Sequence, residues 1–240
     1  MGSKPGVWKF AENRPNLQCI FEGFAAKSIP EGTFAFPQSL AEKYRPKTLG
    51  DFIGLEKPKR ILSKFAVNPY PSAWLFVGPS GVGKTDVAQA LCEQIRGELH
   101  HIPSQKCTVE AIEKACHNCH YLPFSAGGFH VVLCDEADWM TRAAQLALLS
   151  KLDATAFPPN TIFIFTCNST EGLEPRFLSR CRVIEFSSYG MANDIAAYLE
   201  MVWHAEGGNG NAPDLVRLAK ECRNNVRDCL MRLETELLAV

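Results

Sequence analysis

The stretch GPSGVGKT at 78–85 constrains this chain more than any other feature. It fits G-x-x-x-x-G-K-[ST], in which glycines let backbone N–H groups close around the phosphates of a nucleotide. The backbone of Gly78, Pro79, Ser80, Gly81, Val82 and Gly83 forms the cradle. Lys84 then brings a point charge to the phosphates, and Thr85 offers a hydroxyl to Mg2+. Both flanks suit the motif. AWLFV at 73–77 is a short apolar run that reads as a buried strand, and residues 86–96 have helical spacing with Val87, Leu91 and Ile95 on one face. The helix therefore starts at the anion, where its dipole and unpaired N–H groups favour negative charge, with Asp86 beside the nucleotide. A chance glycine turn would need neither flank.

Four further motifs follow in order: VVLCDEAD at 131–138, FTCN at 165–168, LSRC at 178–181 and NNVRD at 224–228. In the first, an apolar strand ends in Asp135, placed to hold magnesium, and Glu136, placed to polarise an attacking water. DEAD is also a helicase signature, but such a helicase needs a second similar domain with its own arginines, which the downstream sequence does not offer. TIFIFTC at 161–167 reads as another buried strand, and Asn168 follows at its C-terminal end. Ligands of open parallel sheets bind at that edge, so Asn168 is expected to orient the lytic water against the γ-phosphate. The plainer reading of Asn168 is the start of a turn before Ser169 and Thr170.

This ordered set reads as an ATP-hydrolysing site of the AAA+ type, and the chain resembles a clamp-loader subunit, from the AAA+ family that opens sliding clamps and places them on primed DNA. The similarity starts at AEKYRPKTL (41–49) and DFIG (51–54) and runs through the phosphate loop and DEADWMTRAAQLALLSKLD. It continues through EPRFLSRCRVIEF to about residue 237. The resemblance implies roles for particular residues. Arg45 and Ile53 match linker positions that contact the nucleotide. Arg180 matches the arginine that reaches into the ATP site of a neighbouring subunit, and Arg227 matches the lid arginine that touches the γ-phosphate in its own subunit. An arginine finger supplied in trans is worth ~10³–10⁵ in rate, so an isolated monomer is expected to be nearly inactive. For Arg180 the bland alternative is a surface salt bridge.

The implied partners are other AAA+ subunits in a homo- or hetero-oligomer, DNA, and a sliding clamp or other protein target. Clamp-loader subunits continue into a helical collar, whereas this sequence stops after the lid, so the assembly is expected to rest on AAA+ contacts, the N-terminal extension or a partner chain. Two other functional classes stay open: an AAA+ remodeller serving transposition, recombination or mobile elements, and a structural ATP-binding subunit of a hetero-oligomeric loader. Intact Lys84, Thr85, Asp135, Glu136 and Asn168 argue against the last.

The expected architecture is α/β: a P-loop NTPase sheet of the AAA+ kind, parallel with helices on both faces, plus a small all-helical lid. The domains are an aromatic-rich N-terminal extension (1–40), the nucleotide-binding domain (41–187) and the lid (188–240). Strands are expected at 99–102, 131–134, 161–167 and 182–186, with a turn at 157–160 and a flexible link at 207–211. Residues 18–21 of the extension faintly resemble a sliding-clamp-binding peptide; self-packing is the alternative. In NNVRD two asparagines stand where the family usually has Gly-Asp, and Asn tolerates the left-handed backbone such a turn needs.

Charge narrows the partners. A formal net charge of −1 creates no global field for nucleic acid, so DNA contact must come from a local patch such as the basic stretch 43–64 or Arg142. A solvated face is an equal reading of Lys57, Lys59 and Arg60. No segment approaches a membrane span and no signal peptide stands out, which predicts a cytoplasmic protein, nuclear if the host has a nucleus.

Ten cysteines in such a chain are expected as thiols, ligands or small apolar groups. Cys134 and Cys167 fall on predicted central strands and read as core. C-x-x-C-H at 116–120 spells a haem-attachment motif, but nothing indicates the export that attachment requires. Zinc on Cys107, Cys116, Cys119 and His120 is the better rival. Against it, Val109, Ile112, Cys116 and Cys119 share one helical face, so core packing is the stronger reading.

Overall fold

The computed structural model describes residues 38–103, 106–153, 155–208 and 212–239. Most of the expected N-terminal extension, with its clamp-peptide-like stretch at 18–21, lies outside the described residues, as does the 209–211 part of the lid link.

Five parallel strands form one sheet in the order β2-β3-β4-β1-β5: β1 (Ser72–Val77), β2 (Glu98–Ile102), β3 (His130–Cys134), β4 (Thr161–Cys167) and β5 (Arg182–Glu185). HVVLC and TIFIFTC are buried at every position, as strands covered on both faces must be. β2 lies at the edge and is only half-buried, alternating between an outer and an inner set of side chains. Register then places the chemistry. Val77 pairs with Cys167, and Cys134 pairs with Phe165. The phosphate loop, Asp135 and Asn168 thus leave the sheet at the same C-terminal edge.

Helices make the crossovers. α2 (Glu56–Val67) and α3 (Lys84–Gln94) close one apolar layer, in which Leu62 and Leu91 are fully buried. α4 (Val109–Asn118) and α5 (Arg142–Lys151) close the other, built on Ile112, Leu148, Phe163 and Phe165. Each fully buried Leu, Ile or Phe contributes about 1.5–3 kcal/mol of transfer free energy. After the short α6 (Pro175–Leu178), a third apolar cluster joins α7 (Ala192–Ala205), α8 (Leu215–Glu221) and α9 (Val226–Leu238), with Leu40 from the short α1 (Leu40–Lys43) tucked against it.

The expected strands fall where the sequence places them, within a residue at each end. α3 differs: it starts at Lys84, two residues before the helical spacing becomes evident. Gly83, at φ 89°, turns the chain straight into the helix, and left-handed Arg96 (φ 52°) lies just beyond its other end. Cys134 and Cys167 are core, as expected, and burial pushes the Cys167 thiol up to about 11. The lid turn also behaves as its asparagines predict. Asn224 is left-handed (φ 59°) and donates through Nδ2 to the Ser188 carbonyl (2.7 Å), while the Asn225 side chain accepts from the Asp228 N–H to cap α9.

Candidate active site

At the C-terminal edge of β1 the Gly78 N–H donates to the Cys167 carbonyl, which binds the start of the phosphate loop to the end of β4. Gly81 (φ 74°) and Gly83 are left-handed, and a Cβ on Gly81 would sit 2.2 Å from the Asn225 side chain. Here glycine is required twice, for the backbone and for the lid pressed against it. The Val82 side chain turns into the core, so its share in the cradle is backbone alone.

Lys84 is the most buried charge of the site, at 8% exposure. Its ammonium donates to the carbonyls of Gly78 and Pro79 (both 2.8 Å) and to Asn168 Oδ1 (3.1 Å). Desolvation pushes its pKa down, opposed by Cys167, Asp138, Asp135 and Glu136. Lys84 and Asn168 therefore stand in contact.

Thr85 and Asp135 also meet, the hydroxyl donating to Asp135 Oδ1 at 2.7 Å. Thr166 donates to the same oxygen and accepts from the Glu136 N–H at 3.0 Å. This buried hydroxyl orients both carboxylate residues. Glu136 itself is left-handed (φ 51°) and exposed, at the tight turn that ends β3. Asp138 Oδ2 accepts from the Asn168 N–H (3.3 Å), tying that turn to the end of β4. The paired hydroxyl and carboxylate suit a hard cation such as Mg2+, which takes oxygen donors and keeps several waters.

The linker and lid arginines converge on Asp86. Its carboxylate, 13% exposed, accepts from Arg45 Nε (2.6 Å) and lies 3.9 Å from Arg227 Nη2. Arg45 also donates to Gln89 Oε1. Beside them opens a cleft of about 310 Å³ walled by Tyr44, Phe52, Ile53, Val82, Met191 and Val226, with Asp86, Arg45 and Arg227 on its rim. Its apolar walls between linker, loop and lid suit a flat base, and the adjoining polar cleft holds Ser80, Lys84, Thr85, Asp135, Glu136 and Asn168.

Arg180 stands elsewhere. It forms a two-pronged pair with Asp153 just after α5 (3.0 and 2.9 Å) and donates to the Arg176 carbonyl. No residue of the polar cleft is among these partners. Arg142, the suggested DNA contact, pairs with Glu174 at 2.9 Å and is 79% exposed. Lys59 caps the Phe52 carbonyl and pairs with Glu56.

The four zinc ligands weighed from sequence do not converge among the described residues. The Cys107 and Cys134 thiols share a hydrogen bond, and Cys116 is packed in the core. Cys107, Cys116 and Cys119 are buried in one apolar cluster against the sheet, whereas His120 is exposed. Sequence reading passed over Thr166, Asp138 and the dual role of Asp86. Thr166 had a visible signal, a polar residue within an otherwise apolar run; the other two needed the fold.

Comparison with known proteins bears on the fold and on sequence kinship. Residues 74–189 match the family model described as ATPase family associated with various cellular activities (AAA). Over 63% of its length the chain is 34% identical to a replication factor C small subunit of Natronomonas pharaonis, covering 48% of that protein. It is 29% identical to a replication factor C large subunit of Methanosarcina mazei, over 81% of this chain and 33% of that one. The chain thus spans about half the length, or less, of these curated relatives. Among solved structures, the Thermotoga maritima RuvB Holliday junction branch migration motor superposes with a TM-score of 0.66 at 20% identity, over 80% of this chain and 64% of that one; this likeness concerns the fold. No described helix is long and apolar enough to cross a membrane. Fold and motif order are those of a P-loop ATPase domain, and in sequence the chain is similar to the AAA family over residues 74–189 and to replication factor C subunits.

Proposed function

We propose that the chain hydrolyses ATP at the interface between AAA+ subunits, in an oligomer that acts on DNA in the manner of a clamp loader. The observation that carries this reading is a division of labour. Lys84, Thr85, Asp135, Glu136 and Asn168 are gathered in one cleft, while the arginine of the SRC motif stands outside it on Asp153. In this reading residues 41–187 bind the nucleotide and 188–240 form the lid that closes on it.

The base enters the apolar cleft between Ile53, Val82 and Val226. The γ-phosphate displaces the two loop carbonyls from Lys84, whose ammonium keeps Asn168 as its neighbour. Thr85 and Asp135 hold Mg2+, which when bound neutralises the triphosphate charge. Glu136, turned outward by its left-handed backbone, takes the proton of the attacking water, and Asn168 orients that water. Arg45 and Arg227 exchange Asp86 for phosphate oxygens, which draws the lid down. Arg180 leaves Asp153 and completes the site of the next subunit.

The test is steady-state ATP hydrolysis with and without primer-template DNA. DNA is expected to stimulate the wild type, and Arg180→Ala to remove at least ~10³ of the rate while leaving ATP affinity within threefold. Mixing Arg180→Ala with Glu136→Gln, each inactive alone, is expected to restore activity, because one intact interface can form. Full activity of Arg180→Ala, or no recovery in the mixture, would overturn the trans arrangement.

A further inference from the structure

We infer that His100, His130 and Cys119 form a zinc site between β2, the start of β3 and the C-terminal end of α4, apart from the nucleotide cleft. His100 Nε2 and His130 Nδ1 are 2.9 Å apart, and these two atoms and Cys119 Sγ all lie within 4.8 Å of one another. Tetrahedral zinc, with bonds of about 2.1 Å to nitrogen and 2.3 Å to sulfur, would space them about 3.3–3.6 Å apart. Side-chain rotations that move these atoms by up to about 1 Å reach that spacing.

The backbone explains why these groups meet. Glu98 pairs with His130 across the parallel register, and His100 lies two residues further along β2 on the same face. α4 packs over this face and delivers Cys119 at its C-cap. Cys119 and His130 are almost fully buried, at 0% and 2% exposure.

The surrounding shell also fits a metal. His130 Nε2 lies 2.9 Å from the Tyr121 carbonyl, which can only accept, so Nε2 carries the proton and the Nδ1 lone pair faces the cluster. A backbone carbonyl on the far ring nitrogen is the usual support for a metal-binding histidine. Glu98 Oε1 lies 3.9 Å from His100 Nε2, and its other oxygen accepts from the Phe124 N–H (2.7 Å). Two imidazoles and a thiolate select zinc over magnesium or calcium. The ion would pin the end of α4, and the loop bearing exposed Tyr121, Leu122 and Phe124, to edge strand β2.

The full chain, purified without chelator, is expected to contain about one zinc per molecule by mass spectrometry. Cobalt exchange should give tetrahedral visible bands and a thiolate-to-cobalt charge-transfer band. His100→Gln and Cys119→Ser should each lose the metal and these bands, while Cys107→Ser and Cys116→Ser keep them. Binding of a fluorescent ATP analogue checks that each variant is folded, because His100 pairs with Val132, three residues and about 10 Å short of Asp135 along β3. Wild-type protein that neither retains zinc nor gives the cobalt bands would overturn the site. So would a folded His100→Gln or Cys119→Ser variant that keeps a full equivalent.

Discussion

Thr166→Val tests whether one buried hydroxyl orients the catalytic turn. Thr166 is 1% exposed, donates to Asp135 and accepts from the Glu136 N–H. Valine keeps the shape and removes both bonds. A hydrogen bond to a carboxylate is worth about 1.5–3 kcal/mol and a neutral one about 0.5–1.5 kcal/mol. Asp135 remains 22% exposed and Glu136 is at the surface, so water recovers part of each. The net cost is about 2 kcal/mol, and a chain of this size then melts about 4–8 °C lower. The larger effect should be kinetic, because Glu136 loses the anchor of its left-handed turn. With DNA present, kcat is expected to fall at least tenfold, about 1.4 kcal/mol in the barrier, while ATP affinity changes less than threefold. Thr166→Ser, which retains the hydroxyl, should restore most of both. Calorimetry and steady-state turnover decide the matter. Wild-type kcat in a folded Thr166→Val protein would refute the reasoning, and so would a loss confined to ATP affinity.

Two further outcomes follow from particular contacts. Gly81→Ala places a Cβ within 2.2 Å of Asn225 at φ 74°, so the 224–228 turn must move off the loop; ATP affinity should drop more than tenfold by titration, with a lowered melting temperature, and wild-type affinity would contradict the contact. Glu206 accepts from Lys43 and Tyr44, and these bonds hold its carboxyl below the usual value while Tyr44 is raised to about 12. A depressed carboxylate adds stability that is present above its unfolded value of about 4.3 and is lost as pH falls through the lower folded value. The melting temperature of Glu206→Gln should therefore lie below wild type at pH 7, and the gap should close on acidification below about pH 4. A gap independent of pH would refute the link.

Much of the site was legible in the chain because its chemistry is local. The Gly78 to Thr85 segment folds on its own neighbours, and strands with continuous apolar runs announce burial on both faces. Asn224 could be trusted to turn the lid because a left-handed backbone is a property of the residue itself. Even the core role of Cys134 and Cys167 followed from the strands that hold them.

What stayed hidden depends on distance in sequence. The strand order, which sets β4 between β3 and β1, is decided by how three layers pack, and it alone brings Thr166 to Asp135 and Asn168 to Lys84. Asp86 looked like an ordinary first-turn acid; only the docking of linker and lid gives it two arginines. The cysteines around 116–120 show the same limit. Spacing proposed four ligands along one segment, but a helix turns its side chains in fixed directions, so Cys107, Cys116 and Cys119 pack into the core while His120 faces outward. Tertiary packing set Cys119 instead beside two histidines from strands whose register no local pattern encodes.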